Sequence, residues 1–443
     1  MSVIFSHPTG NANVRAAANG LAEARLLAEF NTTIAVFSGG VLDRLGALRP
    51  LMELRRRRFD SGLRQYTNVW PWFEAGRLLA SQASFSQLTK HEKGIFSIDA
   101  VYRNLDKRVE AGIQRASRRG AQAVYAYEDG AVFSFRRARM LGLQCFYDLP
   151  TGYWRAARRL LAGEQERWPA WVPTMTGWID SEAKLAAKDE ELSLANRIFV
   201  ASTFVANTLK EYPGVLPPID VIPYGFPPVG LKREYSTRKE GQKIKLLFVG
   251  KLSQQKGLAD LFAAVQALDK WVELTLVGHK GSDDCLALDV ALAKHRWYPT
   301  LPHDDVLQLM RTHDVLLFPS LFDGFGLVMT EAMSQGTPVI ATDRSAGPDL
   351  ITNGQNGWLI EAGSPSAIQQ AIEYLLTHTT QVAKAGSEAR EKAHNRPWNL
   401  YSEELSATIR RHLTNKSTVP PPIVPAIEPF LLLCFTIIAF QPN

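Results

Sequence analysis

Residues 318–336 read FPSLFDGFGLVMTEAMSQG, and this stretch decides the fold. The apolar run Val315–Phe318 has the length of a buried strand and stops at Pro319-Ser320. A turn with two glycines follows, Asp323-Gly324-Phe325-Gly326, and then a helix-like stretch from Leu327 to Ser334. Gly324 and Gly326 permit backbone conformations closed to other residues and leave room for a ligand close to the main chain. The opening amides of the helix, at Leu327 and Val328, point at whatever lies over the turn, where the helix dipole favours an anion such as a phosphate. Asp323 and Glu331 bracket the turn. Two carboxylates suit an anion site if they accept hydrogen bonds from hydroxyls flanking the phosphate, as a sugar on one side and a ribose on the other would supply.

A crossover of the same kind precedes this one. Ile244–Val249 is an apolar strand, followed by Gly250-Lys251-Leu252-Ser253-Gln254-Gln255-Lys256-Gly257 and a helix from Leu258. Two lysines thus leave one strand-to-helix turn, and their flexible ammonium groups can reach one diphosphate. Leu274–Gly278, Val339–Ala341 and Trp358–Ile360 continue the rhythm of strand and glycine loop to about Asn395. The helix around His303–Arg311 is expected to be capped by Asp304.

The first half has a similar rhythm. Val3–Phe5 reads as a strand, His7–Asn13 as its loop, Val14–Phe30 as a helix and Thr33–Phe37 as the next strand. Gly10 sits where a ligand can come close above the sheet edge, although the G-x-G-x-x-G dinucleotide spacing is absent. Leu51–Leu88 is irregular, aromatic and basic, a candidate insertion that handles an acceptor. Ala100–Arg118 reads as a helix, Ala123–Tyr127 as a strand ending at Glu128-Asp129-Gly130, and Gln144–Tyr147 as a strand ending at Asp148. Polar residues just past strand ends carry ligands in open α/β sheets, so Glu128, Asp129, Tyr147 and Asp148 are acceptor-side candidates. Trp178–Leu192 alternates charges at helical spacing, as a solvated helix face does. Pro213, Pro217, Pro218 and Pro223 mark an interdomain passage that closes the first half.

The expected architecture is α/β, with two Rossmann-like doubly wound domains facing across a cleft. The boundaries are 1–225 for an acceptor-side domain, 226–395 for a donor domain, 396–414 for a helix crossing back, and 415–443 for a proline-rich and apolar tail. A chain of 443 residues exceeds what one core usually organises. Cys145, Cys285 and Cys434 are scattered, odd in number and without metal spacing, which suits a reducing compartment. No signal peptide is read before Val3-Ile4-Phe5, so a cytoplasmic location is expected. Residues 1–225 carry 29 Lys and Arg against 22 Asp and Glu, whereas the remainder carries 21 against 22. A basic first half suits an anionic partner. Arg55–Arg58 and Arg64, near Trp70 and Trp72, can lie against anionic headgroups at the inner face of a membrane, or form a solvated helix face. Nucleic acid is not expected, because the arginines are spread over an enzyme-like chain without a binding module. Phe430–Phe440, as a helix, reaches only about 16 Å of the roughly 30 Å hydrocarbon core, so it does not span.

Taken together, Asp323, Gly324-Phe325-Gly326, Glu331-Ala332-Met333 and Gly336-Thr337-Pro338-Val339-Ile340 resemble the donor-site signature of the retaining glycosyltransferases of family 4, which have the GT-B fold. The family usually carries glutamate where Asp323 stands, and arginine where Lys251 stands; Glu331 and Lys256 match. Many members also have a histidine near the position of Asp148, which this chain lacks. The resemblance implies a nucleotide-sugar donor held by Gly10, Lys251, Lys256, Asp323, Gly324, Phe325, Gly326, Leu327, Val328 and Glu331. It implies catalytic roles for Asp323, Glu331 and Lys256, and a glycan or lipid-linked acceptor; Asp148 is counted as catalytic from its place at a strand end, the departure from the family leaving the acceptor-side group unassigned. With no Asp-x-Asp in the chain, no metal or other cofactor is expected. A non-catalytic nucleotide-sugar binder, or an epimerase of the same fold, is the alternative.

Overall fold

Strand and helix alternate along the chain, and in the computed structural model every strand pairing within the sheets is parallel. Residues 1–45, 57–175, 179–235 and 242–415 are described. Arg55, Arg56, Trp178 and the tail from 416, with Cys434 and the Phe430–Phe440 run, lie outside them. The first domain contains β1 (Ser2–Ser6), β2 (Leu27–Thr32), β3 (Val36–Phe37), β4 (Arg58–Phe59), β5 (Thr67–Val69), β6 (Ala121–Tyr127), β7 (Gln144–Leu149), β8 (Arg197–Val200) and β9 (Ile219–Val221). The second contains β10 (Ile244–Val249), β11 (Val272–Val277), β12 (Arg296–Tyr298), β13 (Val315–Phe318), β14 (Val339–Thr342) and β15 (Gly357–Ile360).

The strand orders are β5-β2-β1-β6-β7-β8-β9 and β12-β11-β10-β13-β14-β15, with β3 and β4 forming a separate ribbon. In each sheet the order runs outward in both directions from the first strand. The loops after β1 and β6, and after β10 and β13, therefore part at a crevice, which is where doubly wound sheets hold ligands. Parallel strands covered by helices on both faces must be apolar throughout, and β13 is accordingly buried at all four positions.

Several expectations are corrected. The first helix is Ala12–Glu23 and stops well before Phe30. Arg25 takes a left-handed conformation (φ 56°), and the Leu26 amide turns back to the Leu21 carbonyl at 2.8 Å. Leu27–Thr32 then becomes β2, with Phe30 packed on Phe5, and only Val36–Phe37 of the expected next strand is extended in a ladder. An alanine- and leucine-rich run fits a helix or a buried strand equally well, and tertiary burial chose between them. Described residues of the 51–88 stretch contribute the edge strand β5 and the helix Trp72–Gln82. The helix Glu182–Leu194 is not simply a solvated face: it buries Leu185, Glu191 and Leu192. Pro302, not Asp304, is the cap position of His303–Thr312, and Asp304 sits in its first turn.

The domains meet over a continuous core. The helix Trp398–Thr414 packs along Ala12–Glu23, where Ser402 Oγ donates to the Ala16 carbonyl at 2.9 Å. A side chain at Gly20 would lie 2.7 Å from Ser402 Cβ, so the two helices touch through glycine. A second connection is made by residues 164–174, which follow the first domain's β7 but dock on the second. Trp171 stacks on Phe262 at 5.7 Å, and Arg167 bonds Asp260 at 2.7 Å and the Gly363 carbonyl at 2.6 Å. Buried Gln254 bonds Glu164 at 2.7 Å. This strap holds the segments on either side of it close to the donor domain.

Candidate active site

β13 delivers its turn against the loop that follows β10, because the two strands are neighbours. Gly257, at φ +71°, begins the helix Leu258–Ala267, and a Cβ there would lie 2.0 Å from the Pro319 carbonyl oxygen. Leu321 N donates to the Gln255 carbonyl at 2.9 Å, and Gln255 Nε2 to the Phe322 carbonyl at 3.1 Å. So stitched, the loops bring Lys256 and Asp323 into an ion pair. The other oxygen of Asp323 accepts from the Phe325 amide at 3.2 Å, which closes its own turn.

Gly326 is the cap residue of Leu327–Ser334, at φ +86°. A side chain there would enter the Phe318 ring, and the Lys256 ammonium lies 5.8 Å from the same ring. Lysine, carboxylate and helix N-terminus thus share one corner of the crevice. Lys251 belongs to it as well: desolvation, and then the charge of Lys256, lowers its pKa. Two ammonium groups brought together in a half-buried site favour a multiply charged anion. Glu331 lies one turn into the helix, where burial raises its carboxyl pKa and the nearby His303 opposes that rise. Leu327 and Val328 are half-buried at the helix start.

Two glycines have packing reasons as well. A Cβ on Gly324 would stand 1.9 Å from the Pro150 carbonyl oxygen, and Ser202 Oγ donates to the Gly324 carbonyl at 2.6 Å. Its bareness lets the first domain approach the turn. Phe325 is buried and packs on Tyr224 at 4.8 Å, so its side chain joins the domains too. A Cβ on Gly10 would meet the Phe59 ring at 2.7 Å, and the Gly10 carbonyl accepts from Arg15.

Asp148 lies within β7, not in the loop beyond it, and is buried. Tyr125 donates to it at 2.5 Å; burial pushes its carboxyl up to about 7 against the pull of the Tyr125 and Tyr127 phenols. Its neighbour Tyr147 points to the other face and donates to Glu191 at 3.0 Å. Glu128 and Asp129 are drawn to Lys188, at 3.3 and 3.7 Å.

A pocket of about 280 Å³ opens between the domains. Lys256, Asp323 and Gly324 form one wall, and Gly152, Trp154, Arg158, Asp180 and Lys188 face them from the first domain. Asp148, Glu128 and Asp129 do not line it, although Lys188 connects the last two to its edge. Sequence reasoning missed Trp154, Arg158, Asp180 and Lys188. They come from stretches on either side of the strap, Trp154 and Arg158 before it and Asp180 and Lys188 after it, and no local pattern announces that they meet the donor loops. His7 was also passed over. It is buried at the end of β1, 4.6 Å from Tyr127, and burial lowers its pKa to about 4, with the Arg57 charge assisting. Among the described residues, His91, Glu92 and Asp180 are close enough to share a cation, but the Lys184 ammonium already lies 3.1 Å from Asp180.

Residues 232–392 match the family model for glycosyl transferases group 1. A D-inositol 3-phosphate glycosyltransferase of Corynebacterium glutamicum (strain R) is 28% identical over 183 residues, 38% of this chain and 44% of that protein. An N-acetyl-alpha-D-glucosaminyl L-malate synthase of Bacillus anthracis is 31% identical over 172 residues, 37% and 44% respectively. The chain therefore spans less than half the length of these curated relatives. Over the whole fold it is similar to sucrose-phosphate synthase from Thermosynechococcus elongatus (TM-score 0.62, 17% identity, 94% of this chain and 100% of that one). It is also similar to Anabaena HepE in complex with UDP (TM-score 0.57, 15% identity, 93% and 100%). The architecture is GT-B, and the family match supports a glycosyltransferase.

Proposed function

We propose that this chain transfers a hexose-type sugar from a nucleotide diphosphate to an acceptor hydroxyl on a glycan or lipid-linked molecule, with retention of the anomeric configuration. The observation that carries the reading is the meeting of Lys256, Asp323 and the N-terminus of Leu327–Ser334 at the point where the second sheet's strand order reverses. Lys251, Lys256 and the helix amides bind the diphosphate and stabilise the charge that grows on it as the bond to the sugar's anomeric carbon breaks. The departing phosphate oxygen takes the acceptor proton while the acceptor oxygen bonds to that carbon from the same face. No protein nucleophile and no metal or other cofactor enters this scheme. Asp323 releases Lys256 to the phosphate and accepts from a sugar hydroxyl; Glu331 accepts from the ribose. A pocket walled by both domains suits a reaction that joins two substrates and excludes water.

Thermal-shift measurements with UDP, GDP, ADP and dTDP sugars identify the donor, because a bound donor stabilises the fold by mass action. Glu331→Ala is expected to weaken donor affinity about tenfold or more in calorimetry, with little change in unfolding temperature. Unchanged affinity would remove the donor assignment. Nucleotide release that depends on acceptor is the expected activity. Saturable binding without release would instead indicate a binder, and conversion of the sugar without acceptor an epimerase.

A further inference from the structure

We propose that the helix Trp72–Gln82 and the turns following it, as far as Ile98, form a docking surface for an anionic phospholipid bilayer. The helix is inside out. Among its residues only Glu74 and Ala80 are buried, while Trp72 and Leu79, two turns apart on one face, are 80% and 65% exposed. Beyond it Phe85 and Ile95 are 62% and 60% exposed, and Leu88 and Ile98 are exposed as well. These residues belong to one shelf, because Phe96 packs on Phe73 at 6.2 Å and fills the space left by Gly76, and its amide bonds the Leu88 carbonyl at 2.8 Å.

Charge selects the partner. The shelf's acids are turned inward: Glu74 is fully buried between Arg57 and Arg77, and Glu92 accepts from the amide and hydroxyl of Ser181. Asp99 pairs with Lys184 at 2.8 Å. Between residues 69 and 98 the exposed charged side chains are Lys90 and Lys93, both positive, set among serine, glutamine and large apolar groups. Exposed tryptophan, leucine and phenylalanine flanked by cations match an interface of acyl chains and anionic headgroups. Of the basic patch expected from sequence, Arg57 is buried and Arg58 is paired with Asp43, while Arg55 and Arg56 lie outside the described residues.

The shelf is tied to the cleft through His91, which bonds Asp180 at 2.9 Å, and Asp180 lines the pocket beside Lys256. A bilayer held there lies beside the first domain's wall of the pocket, as access to a lipid-linked acceptor requires. That last consequence rests on the glycosyl-transfer reading; the bilayer contact does not.

The test is co-sedimentation of the full chain with vesicles, without donor. Binding is expected to vesicles of phosphatidylglycerol and phosphatidylcholine, and to be weaker on phosphatidylcholine alone. The combined Trp72→Ser, Leu79→Ser and Phe85→Ser variant should lose about tenfold or more of that partitioning. Because the three side chains are exposed, its unfolding temperature and its thermal shift with nucleotide sugars should match the parent's. Lys90→Glu with Lys93→Glu should abolish the preference for anionic vesicles. The proposal is overturned if the parent stays in the supernatant, or if the triple variant binds as well as the parent, which would move the contact to another part of the chain. It is also overturned if the parent self-associates in light scattering, the triple variant does not, and neither binds vesicles.

Discussion

Lys256 and Asp323 form an ion pair between the loop after β10 and the loop after β13, the two loops that border the second domain's crevice. Neither loop could place a charge there alone. Through this contact the ammonium is held against Asp323 instead of wandering with its four-carbon stem.

Lys256→Ala is expected to cost about 2 kcal/mol in affinity for a nucleotide sugar, some thirtyfold. Stability should change by less than about 1 kcal/mol, since the pair is only partly buried. Calorimetry on the variant checks the first figure and chemical denaturation the second.

Gly324→Ala tests the domain contact. Its methyl would need space now held by the Pro150 carbonyl, and backbone on both sides leaves little room to yield. Overpacking of this kind costs about 1–3 kcal/mol. The expected result is a wider interdomain angle in small-angle scattering and a loss of transfer, with circular dichroism unchanged.

Asp148 and His7, both close to Tyr127, should titrate stability in opposite directions. Asp148 is held at about 7 in the folded state, far above an unfolded aspartate, so the folded chain keeps a proton that the unfolded chain gives up. Its contribution is therefore fully present below about pH 4 and is lost as pH rises to about 7. His7 is held at about 4, below an unfolded histidine. Its contribution is present above about pH 6.5 and is lost as pH falls to about 4. Asp148→Asn should accordingly gain on the parent between pH 4 and 7, by up to about 4 kcal/mol. His7→Gln should gain on it in the other direction, by up to about 3 kcal/mol. Urea unfolding across this range distinguishes the two slopes.

The donor half was legible because its signals are local. Val315–Phe318 and Leu327–Ser334 have the expected boundaries, since a proline and a left-handed glycine punctuate them. Lys256 and Asp323 lie 67 positions apart, yet each stands just past the end of an apolar strand, and neighbouring parallel strands bring such residues together. In the first half the signals were weaker. Leu27–Phe30 continues a helical pattern and becomes a strand because Phe5 and the sheet cover it. Asp148 looked like a loop residue, but β7 extends through it to Leu149.

Sequence by itself determined the alternation of strand and helix, the glycine turns, and the chemical kinds of group at the crevice. Each follows from backbone preference and hydrophobic period within about twenty residues. Tertiary structure alone decided that Gly324 yields to Pro150, that residues 164–174 lie on the opposite domain, and that Trp154 and Lys188 face Lys256. These depend on how two sheets pack against each other. Such packing is selected by the fit of whole surfaces, so no single stretch of the chain encodes it.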